Sequence, residues 1–199
     1  MSIVTIIGAG AMGSALVVPL YDNGIEVRLW GTELDGEIID ALKAGKEHPK
    51  HKHLLPDVKF YYEHELAQAM ENATHVIMAI TSDALGMVFE RVVPYLKEGT
   101  IVATVSKGFN YNKDGKIVLL PEILEERIPK SLHNIPIVAI GGPCKANEVV
   151  YRSPSNLIYA SKDIKAAENF KQLIQTGVYN VKVDTAIVGV EVAVAMKNA

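Results

Sequence analysis

The feature that most constrains the fold of this chain is a glycine-rich motif between an apolar segment and a helical pattern. Residues 8–13 are Gly-Ala-Gly-Ala-Met-Gly and follow the β-branched run that ends at Ile7. Gly8 permits a tight turn, Gly10 lets a pyrophosphate approach the backbone, and Gly13 allows close packing of helix on strand. The helix N-terminus offers unpaired N–H groups to the phosphates. We therefore expect a turn that binds a dinucleotide and not a glycine-rich turn without a ligand. The predicted cofactor contacts here are Gly8, Gly10, Ala11, Met12 and Gly13.

Short β-branched runs alternate with longer helical patterns along the chain, which is typical of parallel strands joined by helical crossovers. Several runs are apolar on both faces, as expected where helices cover both sides of a sheet. The predicted fold class is α/β, with a Rossmann-type doubly wound, mainly parallel sheet and helices on both faces. The predicted strands are 2–7, 26–30, 58–61, 75–80, 100–104, 135–140, 156–160 and 178–183. The predicted helices are 11–23, 34–44, 63–71, 85–95, 119–127, 145–150, 164–175 and one from 186 to the chain end. Pro19 is expected to kink or shorten the first helix.

Composition excludes several other classes. With 199 residues, 49% of them hydrophobic and 22% charged, the sequence is typical of one globular domain or a tight pair, not of a disordered chain. A net charge of −3 gives no excess of positive charge for a nucleic acid partner. No run of about 18 apolar residues predicts a membrane span. The single cysteine, Cys144, excludes an intramolecular disulfide and is consistent with a cytoplasmic location.

The residues after the second predicted strand are candidates for binding the adenosine ribose. An acidic residue there suits a free 2′-hydroxyl, and a basic one suits a 2′-phosphate. Thr32 can hydrogen-bond either form, and Glu33 can instead belong to the first turn of the next helix. Thr32 is therefore a predicted cofactor contact, and the choice between NAD and NADP stays open.

Two further glycine-containing turns follow predicted strands. Lys107 lies after the fifth strand, where a lysine can hold a phosphate or a polarised oxygen or can simply be a solvated surface residue. The second turn is Gly141-Gly142-Pro143, followed by Cys144. Cys144 near a helix N-terminus has the setting of a nucleophile, but no histidine neighbours it in sequence, which favours a structural thiol.

Lys197, near the end of the last predicted helix, has two possible roles. Val194 and Ala193 lie three and four residues before Lys197, so helical geometry places its amine on an apolar face. Burial there would lower the pKa of this amine towards the range that suits proton transfer. Alternatively, Lys197 interacts with the helix dipole.

Three histidines, His48, His51 and His53, lie close together in the sequence. A metal site is doubtful because no carboxylate or cysteine partner is evident and Pro49 predicts an irregular loop. We expect a solvated basic loop, or a basic loop that attracts an anionic substrate or cofactor. No metal site is predicted.

Taken together, these motifs resemble the NAD(P)-dependent glycerol-3-phosphate dehydrogenase family in order along the whole chain. The matching segments are 8–13, 23–31, 55–57, 106–108, 141–143 and 189–198. Departures are Cys144 and Lys145, which stand where many members have a small polar residue followed by an aromatic or aliphatic one.

The resemblance implies interconversion of glycerone phosphate and sn-glycerol 3-phosphate, within glycerol phosphate metabolism and phospholipid biosynthesis. NAD or NADP would exchange a hydride with substrate C2, and Lys197 would be the catalytic proton donor or acceptor at the C2 oxygen. The implied substrate contacts are Lys107, Gly142, Lys197 and Asn198. Lys107 and Ala146 join Thr32 and the glycine turn as implied cofactor contacts.

The resemblance also divides the chain into a nucleotide-binding domain at 1–184 and the start of an interdomain helix at 185–199. Family members continue into a helical substrate domain, and this sequence ends at Ala199. We therefore expect impaired activity of the isolated chain and either a homo-oligomer or a separately encoded helical half as partner. Two alternatives are a dinucleotide-binding module without catalysis and another Rossmann reductase similar to ketopantoate reductase.

Overall fold

The computed structural model describes residues 2–112, 114–132 and 134–196. Lys197 and Asn198 lie outside the described residues. The described chain forms an eight-stranded sheet, covered by helices, and a separate two-stranded hairpin. The strands are β1 (Ile3–Ile7), β2 (Glu26–Trp30), β3 (Lys59–Tyr61), β4 (His75–Met78), β5 (Ile101–Thr104), β6 (Phe109–Tyr111), β7 (Ile117–Leu119), β8 (Ile137–Gly141), β9 (Ser155–Ala160) and β10 (Tyr179–Asp184).

Helices connect most of these strands. They are α1 (Ala11–Asp22), α2 (Gly36–Lys43), α3 (Leu66–Met70), α4 (Ser82–Val92), α5 (Leu120–Glu125), α6 (Ala146–Val150), α7 (Ile164–Ile174) and α8 (Ile187–Met196). Single 3₁₀ turns precede α3 at Glu63–Glu65 and follow α4 at Val93–Tyr95. Pro19 does not shorten α1, which continues to Asp22.

The large sheet has the strand order β10-β9-β8-β5-β4-β1-β2-β3. From β3 to β8 all neighbours are parallel, β8 and β9 are antiparallel, and β9 and β10 are parallel to each other. The carboxyl ends of β1, β2, β4, β5 and β8 therefore share one edge, which we call the carboxyl edge. The strands β9 and β10 end at the opposite edge.

Two apolar cores sandwich this sheet. One contains the buried faces of α1, α2, α6 and α7, with Leu16, Leu20 and Phe170 fully buried. The other contains α3, α4 and α5, with Phe89 and Leu85 fully buried. Burial on both faces explains why the central strands are apolar at almost every position.

The expected α/β class and the doubly wound sheet with helices on both faces are confirmed. All eight predicted strands are present within a few residues of their predicted bounds. The hairpin of β6 and β7 was not predicted, since its two three-residue strands lie largely on the surface. Within the described ranges, no helix is long and apolar enough to cross a membrane.

Candidate functional site

The sheet reverses its winding direction between β1 and β4. The two strands are adjacent and parallel, and Ile7 pairs with Met78 at their ends. The connection after β1 passes through α1 on one face, whereas the connection after β4 passes through α4 on the other. Crossovers that diverge in this way open a crevice at the carboxyl edge, where open α/β sheets bind ligands.

The glycine loop, residues 8–13, starts at this crevice. Gly8 has a φ of +105°, which L side chains rarely adopt, and a Cβ there would lie 2.6 Å from the Ala79 carbonyl oxygen. A Cβ at Gly13 would overlap the carbonyl oxygen of Gly8. These two glycines therefore let the loop turn tightly and let α1 pack closely on the strand ends, as predicted.

The loop leaves a group of backbone donors available. Within the described residues, the N–H groups of Gly10, Ala11 and Met12 donate to no protein acceptor, as is usual for the first turn of a helix. The space that a Cβ at Gly10 would occupy is open, with no atom within 4 Å. Free N–H groups at the positive end of a helix form a site for a phosphate group.

A buried carboxylate fixes the second position of the loop. The Oδ2 atom of Asp35 accepts hydrogen bonds from Ala9 N at 3.2 Å, Thr32 N at 2.9 Å and Thr32 Oγ1 at 2.8 Å. The predicted ribose contact Thr32 thus lies beside the glycine loop, and its hydroxyl proton is directed at Asp35. Sequence reasoning missed Asp35. The spacing Thr32-x-x-Asp35 before a helical pattern is the signal that could have identified it.

Glu33 does not belong to the next helix, which begins at Gly36. Its carboxylate pairs instead with the Arg91 guanidinium of α4, Nη1 to Oε1, at 2.5 Å. A backbone hydrogen bond and this ion pair hold the pKa of Glu33 below its usual value. The alternative placement of Glu33 in the first turn of α2 is therefore wrong.

The structure brings several predicted site residues together. Met12, Lys107, Gly142 and Cys144 line one small cavity between the start of α1 and the ends of β5 and β8. Gly142 has a φ of +147°, and a Cβ there would lie 2.8 Å from the Asn156 carbonyl oxygen. The second glycine turn and the lysine after β5 therefore adjoin the glycine loop.

The turn that carries Lys107 is tied to the neighbouring strand end. The Ser106 hydroxyl donates to the Ile80 carbonyl oxygen at 2.5 Å, across the connection after β4. Lys107 itself is partly exposed and forms no ion pair with any described residue. Cys144 is buried in the core next to this cavity, which agrees with the preferred interpretation of a structural thiol.

The predicted cofactor contact Ala146 begins α6, which packs against α1. Ala146 is partly buried and contacts the core on the α1 side of the sheet. The residue after it, Asn147, bonds to the histidine loop. Ala146 thus lies on an element that adjoins the glycine loop.

The expectation of a solvated basic loop holds for Lys46, Lys50 and Lys52, which are exposed, but it is wrong for two of the three histidines. His48 is 0% exposed and His51 is 2% exposed. The ring of His51 lies between the carbonyl oxygen of Ala11, 2.8 Å from Nε2, and Asn147 Oδ1, 2.6 Å from Nδ1. The His51 ring can be buried because these polar partners, on α1 and α6, satisfy its two nitrogens. In the part of the chain that the structure describes, no cluster of three or more potential ligands is arranged to hold a metal ion.

The last helix rises towards the same edge of the sheet. Its first residue, Ile187, packs on Ala139 and Ala160. Further along, Val190 and Ala193 line an apolar groove with the Gly141-Gly142-Pro143 turn. The direction of α8 is therefore towards the carboxyl edge. The predicted residues Lys197 and Asn198 lie outside the described residues.

A buried carboxyl group on α8 was not singled out by the sequence. The Glu191 side chain is 1% exposed, and neither carboxyl oxygen has a hydrogen-bond partner among the described residues. Burial raises the pKa of Glu191 to about 7. Its position in the apolar helical pattern, as the only charged residue between Asp184 and Lys197, was the available signal.

The strand order, the switch between β1 and β4 and the glycine loop define a Rossmann-type domain. The sequence model of one protein family, described as the NAD-dependent glycerol-3-phosphate dehydrogenase N-terminus, matches residues 3–167 of this chain. The chain belongs to this family.

Individual relatives give the same result. The chain is 41% identical over 196 residues to an NADP(+)-dependent glycerol-3-phosphate dehydrogenase of Archaeoglobus fulgidus, and the match covers 98% of this chain and 57% of that protein. It is 31% identical over 202 residues to the NAD(P)+ glycerol-3-phosphate dehydrogenase of Bacillus subtilis, covering 100% of this chain and 56% of that protein. The chain thus spans somewhat more than half the length of these relatives.

A solved structure shows the same architecture. The crystal structure of glycerol-3-phosphate dehydrogenase from Coxiella burnetii matches with a TM-score of 0.84 and 26% sequence identity. The match covers 99% of this chain and 58% of that chain.

Proposed function

We propose that this chain is the dinucleotide-binding part of an NAD(P)-dependent glycerol-3-phosphate dehydrogenase. The observation that carries the proposal is the glycine loop, where three N–H groups without protein acceptors lie beside the open space at Gly10. This arrangement fits the pyrophosphate of NAD or NADP. The dinucleotide, when bound, supplies or accepts the hydride that interconverts glycerone phosphate and sn-glycerol 3-phosphate at C2.

The proposed roles of individual residues follow from their places around the crevice. Gly8, Gly10, Ala11, Met12 and Gly13 hold the pyrophosphate. Thr32 and Asp35 lie where the adenosine ribose would bind, and Ala146 adjoins the cofactor. Lys107 and Gly142, which line one cavity with Met12, position substrate and cofactor.

Lys197 is proposed to transfer a proton at the substrate C2 oxygen, and Asn198 to contact the substrate. The direction of α8 supports both roles, because the helix runs towards the Gly141-Gly142-Pro143 turn. We assign residues 1–184 to the nucleotide-binding domain and 185–199 to the start of the helix that leads into a substrate domain. The proposed setting is cytoplasmic.

These 199 residues span 57% of the Archaeoglobus relative, so a polypeptide of these residues alone allows cofactor binding to be measured apart from turnover. Hydride transfer requires a substrate held in a reactive geometry, and such positioning supplies roughly 7 to 11 kcal/mol of barrier reduction. We expect the 199-residue polypeptide by itself to bind NADH or NADPH but to reduce glycerone phosphate at well below about 1 per second.

The test is NADH and NADPH oxidation with glycerone phosphate, measured on the 199-residue chain alone and with an added helical polypeptide from a relative. Restored turnover supports the dehydrogenase proposal and a helical partner. Normal turnover by the chain alone would show that these residues contain a complete active site. Binding of cofactor without turnover under both conditions favours the binding module.

A further inference from the structure

In the histidine loop, residues 46–53, the side chains of His48 and His51 are buried although the lysines around them are exposed. The rings of His48 and His51 lie with their centroids 4.5 Å apart, and both contact the backbone of the glycine loop. The Ser14 hydroxyl also donates to a carbonyl oxygen of the loop, that of Ala9. Two histidines are thus placed behind the proposed phosphate site.

The protonation of His48 follows from its neighbours. Its Nδ1 atom accepts hydrogen bonds from the backbone N–H groups of Lys50 at 3.1 Å and His51 at 3.3 Å. The proton of the neutral ring is therefore on Nε2, which points at the Ala9 carbonyl oxygen from 3.4 Å. Burial lowers the pKa of His48 to about 4, so the ring is neutral at pH 7.

His51 makes the shorter contact. Its Nε2 atom lies 2.8 Å from the Ala11 carbonyl oxygen, which can only accept, so Nε2 carries a proton. Its Nδ1 atom lies 2.6 Å from the side-chain amide of Asn147 on α6. Nε2 therefore donates to the Ala11 oxygen whichever atom of the Asn147 amide faces Nδ1. Asn147 thereby fixes the ring in the orientation that reaches the loop.

These contacts determine which backbone groups of the loop can meet an anion. A phosphate is attracted by N–H groups and repelled by carbonyl oxygens. The carbonyls of Ala9 and Ala11 are engaged by the imidazoles, and the N–H groups of Gly10, Ala11 and Met12 remain available. The histidines therefore stabilise the loop conformation in which donors alone face the ligand.

We propose that His48 and His51 are positioning residues for dinucleotide binding, which hold the glycine loop in its phosphate-binding conformation by donating to Ala9 and Ala11. This inference rests on the proposed function, because it assigns these histidines to the same cofactor site. It also assigns Asn147 of α6 the task of orienting His51. The larger share falls to His51, whose hydrogen bond is shorter by 0.6 Å (3.4 against 2.8 Å).

The first test compares two substitutions at each histidine by titration with NADH and NADPH. His51→Leu removes the donor and is expected to weaken binding roughly fivefold to tenfold, the effect of one lost hydrogen bond. His51→Gln keeps an amide donor near the Nε2 position and is expected to restore most of the affinity. His48→Leu and His48→Gln follow the same pattern with a smaller difference.

The matched control is His53→Leu. His53 belongs to the same loop, but its ring packs on Tyr151, with centroids 4.8 Å apart. We expect it to leave cofactor affinity unchanged. Thermal unfolding of every variant separates a general loss of stability, which a purely structural role would give, from a change in affinity that glutamine reverses.

The second measurement needs no cofactor. Hydrogen–deuterium exchange of the peptide that covers the glycine loop is expected to be severalfold faster in His51→Leu and unchanged in His51→Gln and His53→Leu. Unchanged affinity together with unchanged exchange in both leucine variants would overturn the inference. If the wild-type chain binds neither dinucleotide but exchange responds as expected, the proposed function fails. The stabilisation of the glycine loop by the two histidines is then still supported.

Discussion

The glycine loop and the last helix lie near the same edge of the sheet, but they differ in whether their buried polar side chains have hydrogen-bond partners. Around the glycine loop, Asp35 accepts three hydrogen bonds through one oxygen. The rings of His48 and His51 also have partners, within their own loop and on α1 respectively. On α8, Glu191 is equally buried, and no described residue bonds to its carboxyl oxygens.

This difference separates a preorganised site from an element that is costly on its own. A buried carboxylate is stable when donors surround it and otherwise favours its neutral form. Around the glycine loop, the buried Asp35, His48 and His51 side chains therefore have hydrogen-bond partners within the protein itself. Glu191 has no compensating donor among the described residues, so it lowers stability when it ionises.

The largest effect is expected at the tight turn of the glycine loop. Gly8→Ala places a Cβ at a φ of +105° and 2.6 Å from the Ala79 carbonyl oxygen. We expect the free energy of unfolding to fall by about 2 to 4 kcal/mol. Urea denaturation measures it, with Gly10→Ala as control, because the Cβ of that alanine enters open space and costs less than about 1 kcal/mol. Equal losses in both variants would contradict the assigned role of Gly8.

Glu191→Gln tests how the buried carboxyl group without a hydrogen-bond partner affects stability. Because burial raises the pKa of Glu191 from 4.5 to about 7, the folded state binds its proton more tightly than the unfolded state does. Stability from this group is complete below about pH 4.5, falls as the pH rises, and is lost above about pH 7. The glutamine variant should be more stable than wild type at pH 8 by on the order of 2 to 3 kcal/mol, with the gap closing towards pH 4.5.

Urea denaturation at pH 4.5, 6 and 8 gives this profile. Glu168→Gln, which removes an exposed carboxylate on α7, controls for the loss of one charge. A Glu191→Gln variant whose stability tracks that of wild type at all three pH values would show that Glu191 has a partner in solution.

Asp35→Ala tests the satisfied carboxylate and should act in the opposite direction. Removing Asp35 leaves the N–H groups of Ala9 and Thr32 without their acceptor. We expect a loss of about 1 to 2 kcal/mol in the free energy of unfolding and a severalfold weaker affinity for NADH or NADPH. Thr32→Val is the companion variant, since it removes the hydroxyl, which donates to Asp35 and accepts from Leu34 N, and keeps the backbone bond from Thr32 N to Asp35. A more stable Asp35→Ala chain would place Asp35 with Glu191 instead.

Much of this fold could be predicted from sequence because its signals are local. The β-branched runs identified the strands of the large sheet, and the glycine spacing identified the loop at residues 8–13. The hairpin of β6 and β7 has three-residue strands that are too short for a periodic pattern. The antiparallel pairing of β8 with β9 depends on how the connection through α6 returns, which residue types do not encode.

The site was predicted less completely, since its polar contacts join distant segments. His51 meets Asn147 across 96 positions and Ala11 across 40, and neither pairing leaves a local pattern. A run of histidines and lysines is therefore indistinguishable from a solvated loop until α1 and α6 are packed together. Asp35 escaped notice for a related reason, because its main function is to bond to Ala9, 26 residues earlier.

The most direct test of the central claim is calorimetric titration of the 199-residue chain and of Gly10→Glu with NADH and NADPH. The glutamate places a negative charge where the phosphates would bind, so we expect more than about a hundredfold loss of affinity, because like charges repel in a desolvated site. Gly177→Glu makes the same change in the exposed turn before β10, where a Cβ has open space, and should bind like wild type. Wild-type affinity in Gly10→Glu, or no binding of either dinucleotide by the wild-type chain at millimolar concentration, would contradict a dinucleotide site at the glycine loop.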